Sequence, residues 1–171
     1  VFISIDTLAA RNLSLHGYER ATSPELERLA KDAVVFEHCL TNAPWTLPSY
    51  LSVMTGLYPR AHWLELDGEE VTPFDRWQLA ENRLTLAEAL RARGYRTGGF
   101  VDTQWLSPIF QFPQGFDVYN GDGAMASFAD PTKHIQDIVQ NLLPPWLAAG
   151  RASSPPFLFL HALDAHGPYL P

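Results

Sequence analysis

Thr85-Leu86-Ala87-Glu88-Ala89-Leu90-Arg91-Ala92-Arg93-Gly94-Tyr95-Arg96-Thr97-Gly98-Gly99-Phe100-Val101 holds a helix start, a helix stop and a strand in one run. Thr85 and Glu88 have the spacing of a capping box, in which each side chain satisfies a free backbone N–H at the start of a helix. Gly94 supplies the left-handed residue that ends such a helix, and Arg96 to Val101 then reads as a strand. Outward from this run the alternation continues. Phe157-Leu158-Phe159-Leu160-His161 is the clearest buried strand, and Val1 to Ile5 is a shorter one closed by Asp6. Ser23-Pro24-Glu25 opens a helix carrying Leu26, Leu29 and Ala30, and a strand is expected over Val34 to His38. A further helix is expected from about Lys133 to Leu143, ended by Pro144-Pro145. Residues 102 to 131, rich in Gly, Pro, Asn and Asp among aromatics, read as a structured excursion rather than a regular unit. Alternating helices and near-continuous apolar strands predict an α/β fold with a mainly parallel sheet flanked by helices.

Composition sets the outer limits. The chain has 171 residues, 46% of them hydrophobic, so it can bury a substantial core and is not intrinsically disordered. A formal charge of -7 leaves no basic footprint for a polyanion, which argues against a nucleic-acid partner. Cys39 is the single cysteine, so an intrachain disulfide framework and a cysteine-rich zinc site are excluded; its expected place is that of a small buried hydrophobe. No apolar run reaches the roughly 18 residues of a membrane span. Val1 starts within a core strand and Gly167 to Pro171 breaks off in a loop, so residues 1–171 read as the amino-terminal portion of one longer domain.

Ligands of open parallel sheets gather beyond the carboxyl ends of the strands. Asp6 follows the first strand, Asp102 follows Arg96 to Val101, and His161, Asp164 and His166 follow the last. Carboxylates and imidazoles around one cleft point to metal-assisted chemistry. The competing reading is that loops collect Asp and His for turns in any case.

Three blocks, taken in order, carry a resemblance. The first is Ile3-Ser4-Ile5-Asp6-Thr7-Leu8 with Gly17-Tyr18 and Thr22-Ser23-Pro24. The second is Ala43-Pro44-Trp45-Thr46-Leu47-Pro48-Ser49 running into Leu51-Ser52-Val53-Met54-Thr55-Gly56-Leu57-Tyr58-Pro59. The third joins Phe157-Leu158-Phe159-Leu160-His161 to Asp164-Ala165-His166-Gly167-Pro168-Tyr169. Together they resemble the amino-terminal part of the sulfatase family, within the alkaline-phosphatase-like superfamily of metal-dependent ester hydrolases. The resemblance implies the sulfatase, alkaline-phosphatase-like fold with its site at the carboxyl edge of the sheet. It also implies a later metal-ligand block beyond Pro171, so this chain by itself would carry half of an active site and be inactive.

By the same resemblance Asp6 ligates a divalent cation, and a hard carboxylate suits Ca²⁺, Mg²⁺, Mn²⁺ or Zn²⁺. Many sulfatases have a second Asp next to it; here Thr7 stands there, with Ala9 and Arg11 where the Asp-Thr-Leu variant carries Arg and a later Asp. Sulfatases oxidise the first residue of a Cys/Ser-x-Pro-x-Arg motif to formylglycine. This chain has Thr46-Leu47-Pro48-Ser49-Tyr50. Oxidising the secondary alcohol of Thr gives a ketone rather than an aldehyde, Tyr50 supplies no guanidinium, and Cys39 has Thr41 and Ala43 at the wrong places to replace the motif. The resemblance therefore points to Thr46 as a direct nucleophile that also ligates metal, as in superfamily members cleaving or transferring phosphate and phosphonate groups. Read from spacing alone, Thr46 is the more expected as a helix cap, and the three blocks in register shift the reading to the nucleophile position.

His166 matches the family position that contacts the ester or leaving-group oxygen, in substrate binding or acid–base assistance. His161 and Asp164 are further substrate-binding candidates, or residues that orient His166. The family's Lys-Trp-His signature is absent, since Asp102-Thr103-Gln104-Trp105 lacks the Lys. Lys133 and His134 read as solvated, His62 as structural, and the aromatics between Trp63 and Trp105 as core or substrate entrance.

The expected function is a metal-dependent hydrolase or transferase of phosphate, phosphonate or sulfate esters, with a small-molecule, lipid or glycan ester as substrate and phosphate-type esters preferred. Two alternatives stand beside it: a sulfuric ester hydrolase using unmodified Thr46, and a non-catalytic scaffold on the same fold, motivated by Thr7, Ala9, Arg11 and Tyr50. Relatives of this kind are often exported or membrane-tethered.

Overall fold

A computed structural model describes residues 1–61, 77–121, 135–150, 154–163 and 165–167. Four strands, β1 (Phe2–Ile5), β2 (Arg96–Val101), β3 (Val118–Asn120) and β4 (Pro156–Ala162), form one sheet in the order β1-β4-β2-β3. Every pair is parallel, with Phe2 opposite Phe159, Ser4 opposite His161 and Val101 opposite His161. The central strands β4 and β2 are the apolar runs read from the sequence, and β2 has the bounds expected of it. Parallel strands in the middle of a sheet are covered on both sides, which is why their apolar residues do not alternate with polar ones.

Period-two geometry divides β4 between two cores. Phe157 and Phe159 face one cluster with Leu47, Leu51, Met54, Leu79, Ala87, Val101, Leu106, Phe110 and Phe112. Leu158 and Leu160 face the other, with Phe100, Ile138 and Trp146. Over the first face lies α2 (Thr46–Thr55), whose buried residues are Leu47, Pro48, Leu51, Ser52 and Met54. The second face is covered by a helical segment made of an α-turn (Ile135–Asp137), a π-helical turn (Ile138–Leu142) and a final α-helix (Leu143–Ala148). Gly98 lets that segment approach: a Cβ there would stand 2.5 Å from the Trp146 ring.

The remaining helices start where the sequence places them. In α3 (Leu86–Arg91) the capping box is complete, with the Thr85 hydroxyl accepting from the Glu88 N–H at 3.1 Å and Glu88 Oε2 accepting from the Thr85 N–H at 2.9 Å. Gly94 follows at φ +82°, the left-handed stop. Helix α1 (Pro24–Ala30) begins directly after Ser23, but the Ser23 hydroxyl does not cap it. It accepts the Leu15 N–H at 3.0 Å instead, tying the preceding turn to the helix.

Several expectations are corrected. Val34 to His38 forms no strand; Val34 and Phe36 are 82% and 74% exposed, and a β-rich composition by itself, without pairing, makes no ladder. Pro144 and Pro145 do not end the helix, which runs on to Ala148. The π-helical turn ahead of them widens the coil, relieving the clash a proline ring makes with a preceding carbonyl, and both prolines fall in the first turn of the final helix, where missing N–H groups cost least. The 102–131 excursion contributes β3, a short edge strand on β2. Cys39 is exposed, not buried. Among the described residues no helix is long and apolar enough to cross a membrane.

Candidate active site

The carboxyl end of β1 meets the amino end of α2. Asp6 is anchored by its backbone N–H, which donates to Ala162 O at 2.8 Å as a continuation of the β1–β4 pairing. Its side chain is held from three directions. Oδ1 accepts the Thr7 N–H at 2.9 Å, Oδ2 accepts the Thr46 hydroxyl at 2.9 Å, and His161 Nε2 stands 3.6 Å from Oδ2, too long for a hydrogen bond and close enough for an ionic contact. Thr46 is the first residue of α2, with Trp45 at the cap position, and its hydroxyl is spent on Asp6 rather than on its own helix. Burial is the largest single influence on the Asp6 carboxyl and opposes its charge. The contacts with His161, Thr46 and the Thr7 N–H together outweigh it and hold the carboxyl below its ordinary value.

His161 lies within β4 rather than after it and is fully buried. The Tyr50 ring meets it edge-on at 5.0 Å between centroids, and the Tyr50 hydroxyl pairs with that of Ser4, the residue opposite His161 in the sheet. Burial, the largest cause, and the nearby Asp6 charge push the Tyr50 phenol up despite its bond to Ser4. Tyr50 stands at the Arg position of the motif that begins at Thr46, and the helical period puts it one turn beyond Thr46; for Ser4 the signal is the strand period that turns it inward beside Asp6.

Thr7 has φ +55°, a left-handed backbone that a β-branched residue adopts only under constraint. The constraint is visible: its hydroxyl donates to Ala165 O at 2.8 Å, joining the turn after β1 to the loop after β4. In that loop His166 is exposed, its backbone N–H donates to Leu163 O at 2.8 Å, and its ring Nδ1 lies 2.6 Å from Gly167 O, which leaves Nε2 uncommitted. Asp164 lies outside the described residues, as do His62, Lys133 and His134. Asp102 is buried behind the end of β2. Trp45, Trp77 and Trp105 pack edge-to-face with centroids 5.3 to 6.5 Å apart, Trp77 and Trp105 against the core and Trp45 outermost beside Thr46.

For a divalent cation, the Asp6 carboxylate and the Thr46 hydroxyl are oxygen donors of the right hardness on adjoining elements, and the fit is partial: among the described residues no three His, Cys, Asp or Glu side chains gather into a group. A shallow pocket lined by Arg91, Tyr95, Arg96 and Asp117 opens at the amino end of β2, the opposite end of the strands from Asp6.

The sulfatase family model matches residues 1–171. N-acetylgalactosamine-6-O-sulfatase of Bacteroides thetaiotaomicron is 27% identical over 122 residues, which are 71% of this chain and 22% of that protein. A protein solved with its substrate D-glucosamine-2-N,6-O-disulfate superposes with a TM-score of 0.72 at 17% identity, covering 98% of this chain and 34% of that one. Phosphonate monoester hydrolase of Agrobacterium radiobacter superposes with a TM-score of 0.67 at 21% identity, covering 98% and 41%. The chain thus spans about a fifth of the curated relative's length and about a third to two fifths of the solved chains. With the family model matched from the first residue to the last and the parallel sheet shared with these structures, the chain belongs to the sulfatase family.

Proposed function

We propose that the chain is the nucleophile-bearing part of a metal-dependent ester hydrolase or transferase of the sulfatase family, in which Thr46 attacks a phosphorus or sulfur oxyacid ester and phosphorus esters are preferred. One observation carries the reading: the Thr46 hydroxyl donates to Asp6 Oδ2 at 2.9 Å instead of capping its helix. A hydroxyl becomes a nucleophile when its proton is already directed at a base, and Asp6, held ionised below the usual carboxylate range, is that acceptor. The N–H groups of Thr46 and Leu47 have no acceptor within the helix, so the positive end of α2 faces an incoming anion.

Asp6 and Thr46 would hold a divalent cation together with ligands from outside the described residues; a bound cation supplies Lewis acidity and lowers the pKa of a ligated hydroxyl. In the step at phosphorus, Thr46 Oγ1 passes its proton to Asp6 Oδ2 and forms a new P–O bond, the ester P–O bond breaks, and the departing alkoxide takes a proton from His166. Water or an acceptor alcohol then attacks phosphorus and gives its proton to His166, the bond to Thr46 Oγ1 breaks, and Thr46 recovers its proton from Asp6. His166 suits the donor role because its Nδ1 is engaged with Gly167 O, leaving Nε2 to carry the mobile proton. Asp164 is assigned to the substrate side; His161, fully buried, meets no substrate and acts only through Asp6.

The relatives act, by their names, on a sulfated sugar and a phosphonate monoester, which brackets the ester class. Preference for phosphorus rests on Thr46 and Tyr50. The family's aldehyde cannot be made from Thr, and Tyr50, where the motif carries Arg, is turned into the core against Phe159 and His161. The experiment is metal analysis of the full-length protein with paired phosphodiesterase, phosphomonoesterase, phosphonate and sulfatase assays, using Thr46→Ala as control. Metal-dependent turnover that falls by about a thousandfold or more in Thr46→Ala, with folding intact, is the expected result. No bound metal and no turnover on any ester would leave the scaffold reading.

A further inference from the structure

His161 is placed where a histidine has little reason to be unless it serves Asp6. It is fully buried in the middle of the sheet, flanked in register by Ser4 and Val101, with the edge of Tyr50 and the ring of Phe159 around it. Neither ring nitrogen has a hydrogen-bond partner. The hydroxyls of Ser4 and Tyr50 are committed to each other. A phenylalanine would fill this space without burying two polar nitrogens, which is a costly thing to do. What distinguishes the imidazole is Nε2, 3.6 Å from Asp6 Oδ2, the same oxygen that takes the Thr46 hydroxyl. With no exposed atom, His161 does not touch substrate; its reach ends at the carboxylate.

The geometry points to His161 as a positioning residue: from behind the site its Nε2, 3.6 Å from Asp6 Oδ2, faces that oxygen through an electrostatic contact longer than a hydrogen bond and biases it toward Thr46, so that the carboxylate meets the cation already oriented. The inference rests on the proposed function, because it takes Asp6 as a metal ligand. Oδ1 is fixed by the Thr7 N–H at the front of the turn and Oδ2 by Thr46 at the side, so His161 closes the third direction, the one from which the side chain could otherwise rotate. Residues that orient a metal ligand change affinity about 10- to 100-fold when removed.

The test uses the full-length protein and Mn²⁺ alone as probe, with affinity read by calorimetry for wild type, Asp6→Asn, His161→Phe and His161→Gln. His161→Phe keeps the ring packing and removes the N–H; His161→Gln restores a donor. The expected result is Mn²⁺ binding weakened 10- to 100-fold in His161→Phe and largely recovered in His161→Gln, with melting temperatures near wild type. Nitrogen-15 spectra of the wild-type imidazoles provide a reading that needs no variant at position 161: the His161 ring is expected to carry its proton on Nε2, with that resonance moved in Asp6→Asn. A proton on Nδ1 with Nε2 bare overturns the inference, and so does wild-type Mn²⁺ affinity in His161→Phe. If Asp6→Asn loses Mn²⁺ while His161→Phe keeps it, only the positioning role falls. If Asp6→Asn keeps it, the metal reading of Asp6 falls and the positioning role with it.

Discussion

Asp6, Thr46 and Tyr50 show how much one hydroxyl proton can reveal. A threonine hydroxyl near the start of a helix can accept a free backbone N–H through its oxygen or give its proton to an acceptor across the gap, and here the proton goes to the Asp6 carboxylate. Asp6 and Thr46 could be named from the sequence because their motifs are local. That their side chains meet, that Ser4 and Tyr50 stand behind them and that His161 is sealed inside the sheet are consequences of register between strands far apart in the chain, which local pattern does not encode. Cys39 went the other way for a similar reason: its preference for burial is a tendency of the residue type, and residues 31–42 around it are exposed. At this scale Tyr50→Phe is expected to cost about 1 kcal/mol, by stranding the half-buried Ser4 hydroxyl. The midpoint of denaturant unfolding measures it.

Elements with strong punctuation were legible. Helix α3 opens at its capping box and β2 occupies the residues assigned to it, because cap and stop chemistry is written within a few residues. Thr85→Ala is expected to destabilise the fold by about 1 kcal/mol, since it removes the bond to the Glu88 N–H. Glu88 itself reports through pH. Partial burial, the largest influence, opposes its charge. The Thr85 N–H, the Gln114 amide, the Thr85 hydroxyl and Arg91 outweigh it and lower the carboxyl below its ordinary value. A carboxyl lowered in the folded state contributes stability that is complete above the ordinary glutamate range and lost as pH falls through the lowered value. Glu88→Gln should therefore flatten the fall of melting temperature between about pH 5 and pH 3 relative to wild type. Elements whose existence depends on a partner were not legible. β3 forms because β2 offers an edge, Val34 to His38 pairs with no strand among the described residues, and Pro144-Pro145 persists in a helix because a π-helical turn precedes it.

For the whole molecule, the parallel α/β class followed from alternation, whereas the order β1-β4-β2-β3 required knowing which strands are neighbours. That order puts β1 at an edge, where Ile3 and Ile5 are 61% and 40% exposed, and the same chain exposes Val34, Phe36 and Leu40. Apolar surface of this kind drives association in water. Residues 1–171 studied alone are expected to bind an apolar dye and to sediment as concentration-dependent oligomers, and Phe36→Glu with Ile3→Lys should reduce both.

The parallel pairing of β1 with β4 also sets a timetable. The Thr7 hydroxyl reaches a carbonyl 158 residues later, and Asp6 is pinned to the strand just before it. On a ribosome adding roughly 5–20 residues per second, the first strand waits on the order of ten to thirty seconds for its neighbour to be made. During that interval β2 and α3, which are close in sequence, can consolidate, while Asp6 has no β4 to fix its position. The Asp6–Thr46 pair is thus fixed late, and a nascent chain stalled before Pro156 would carry both of its residues without the strand that anchors Asp6.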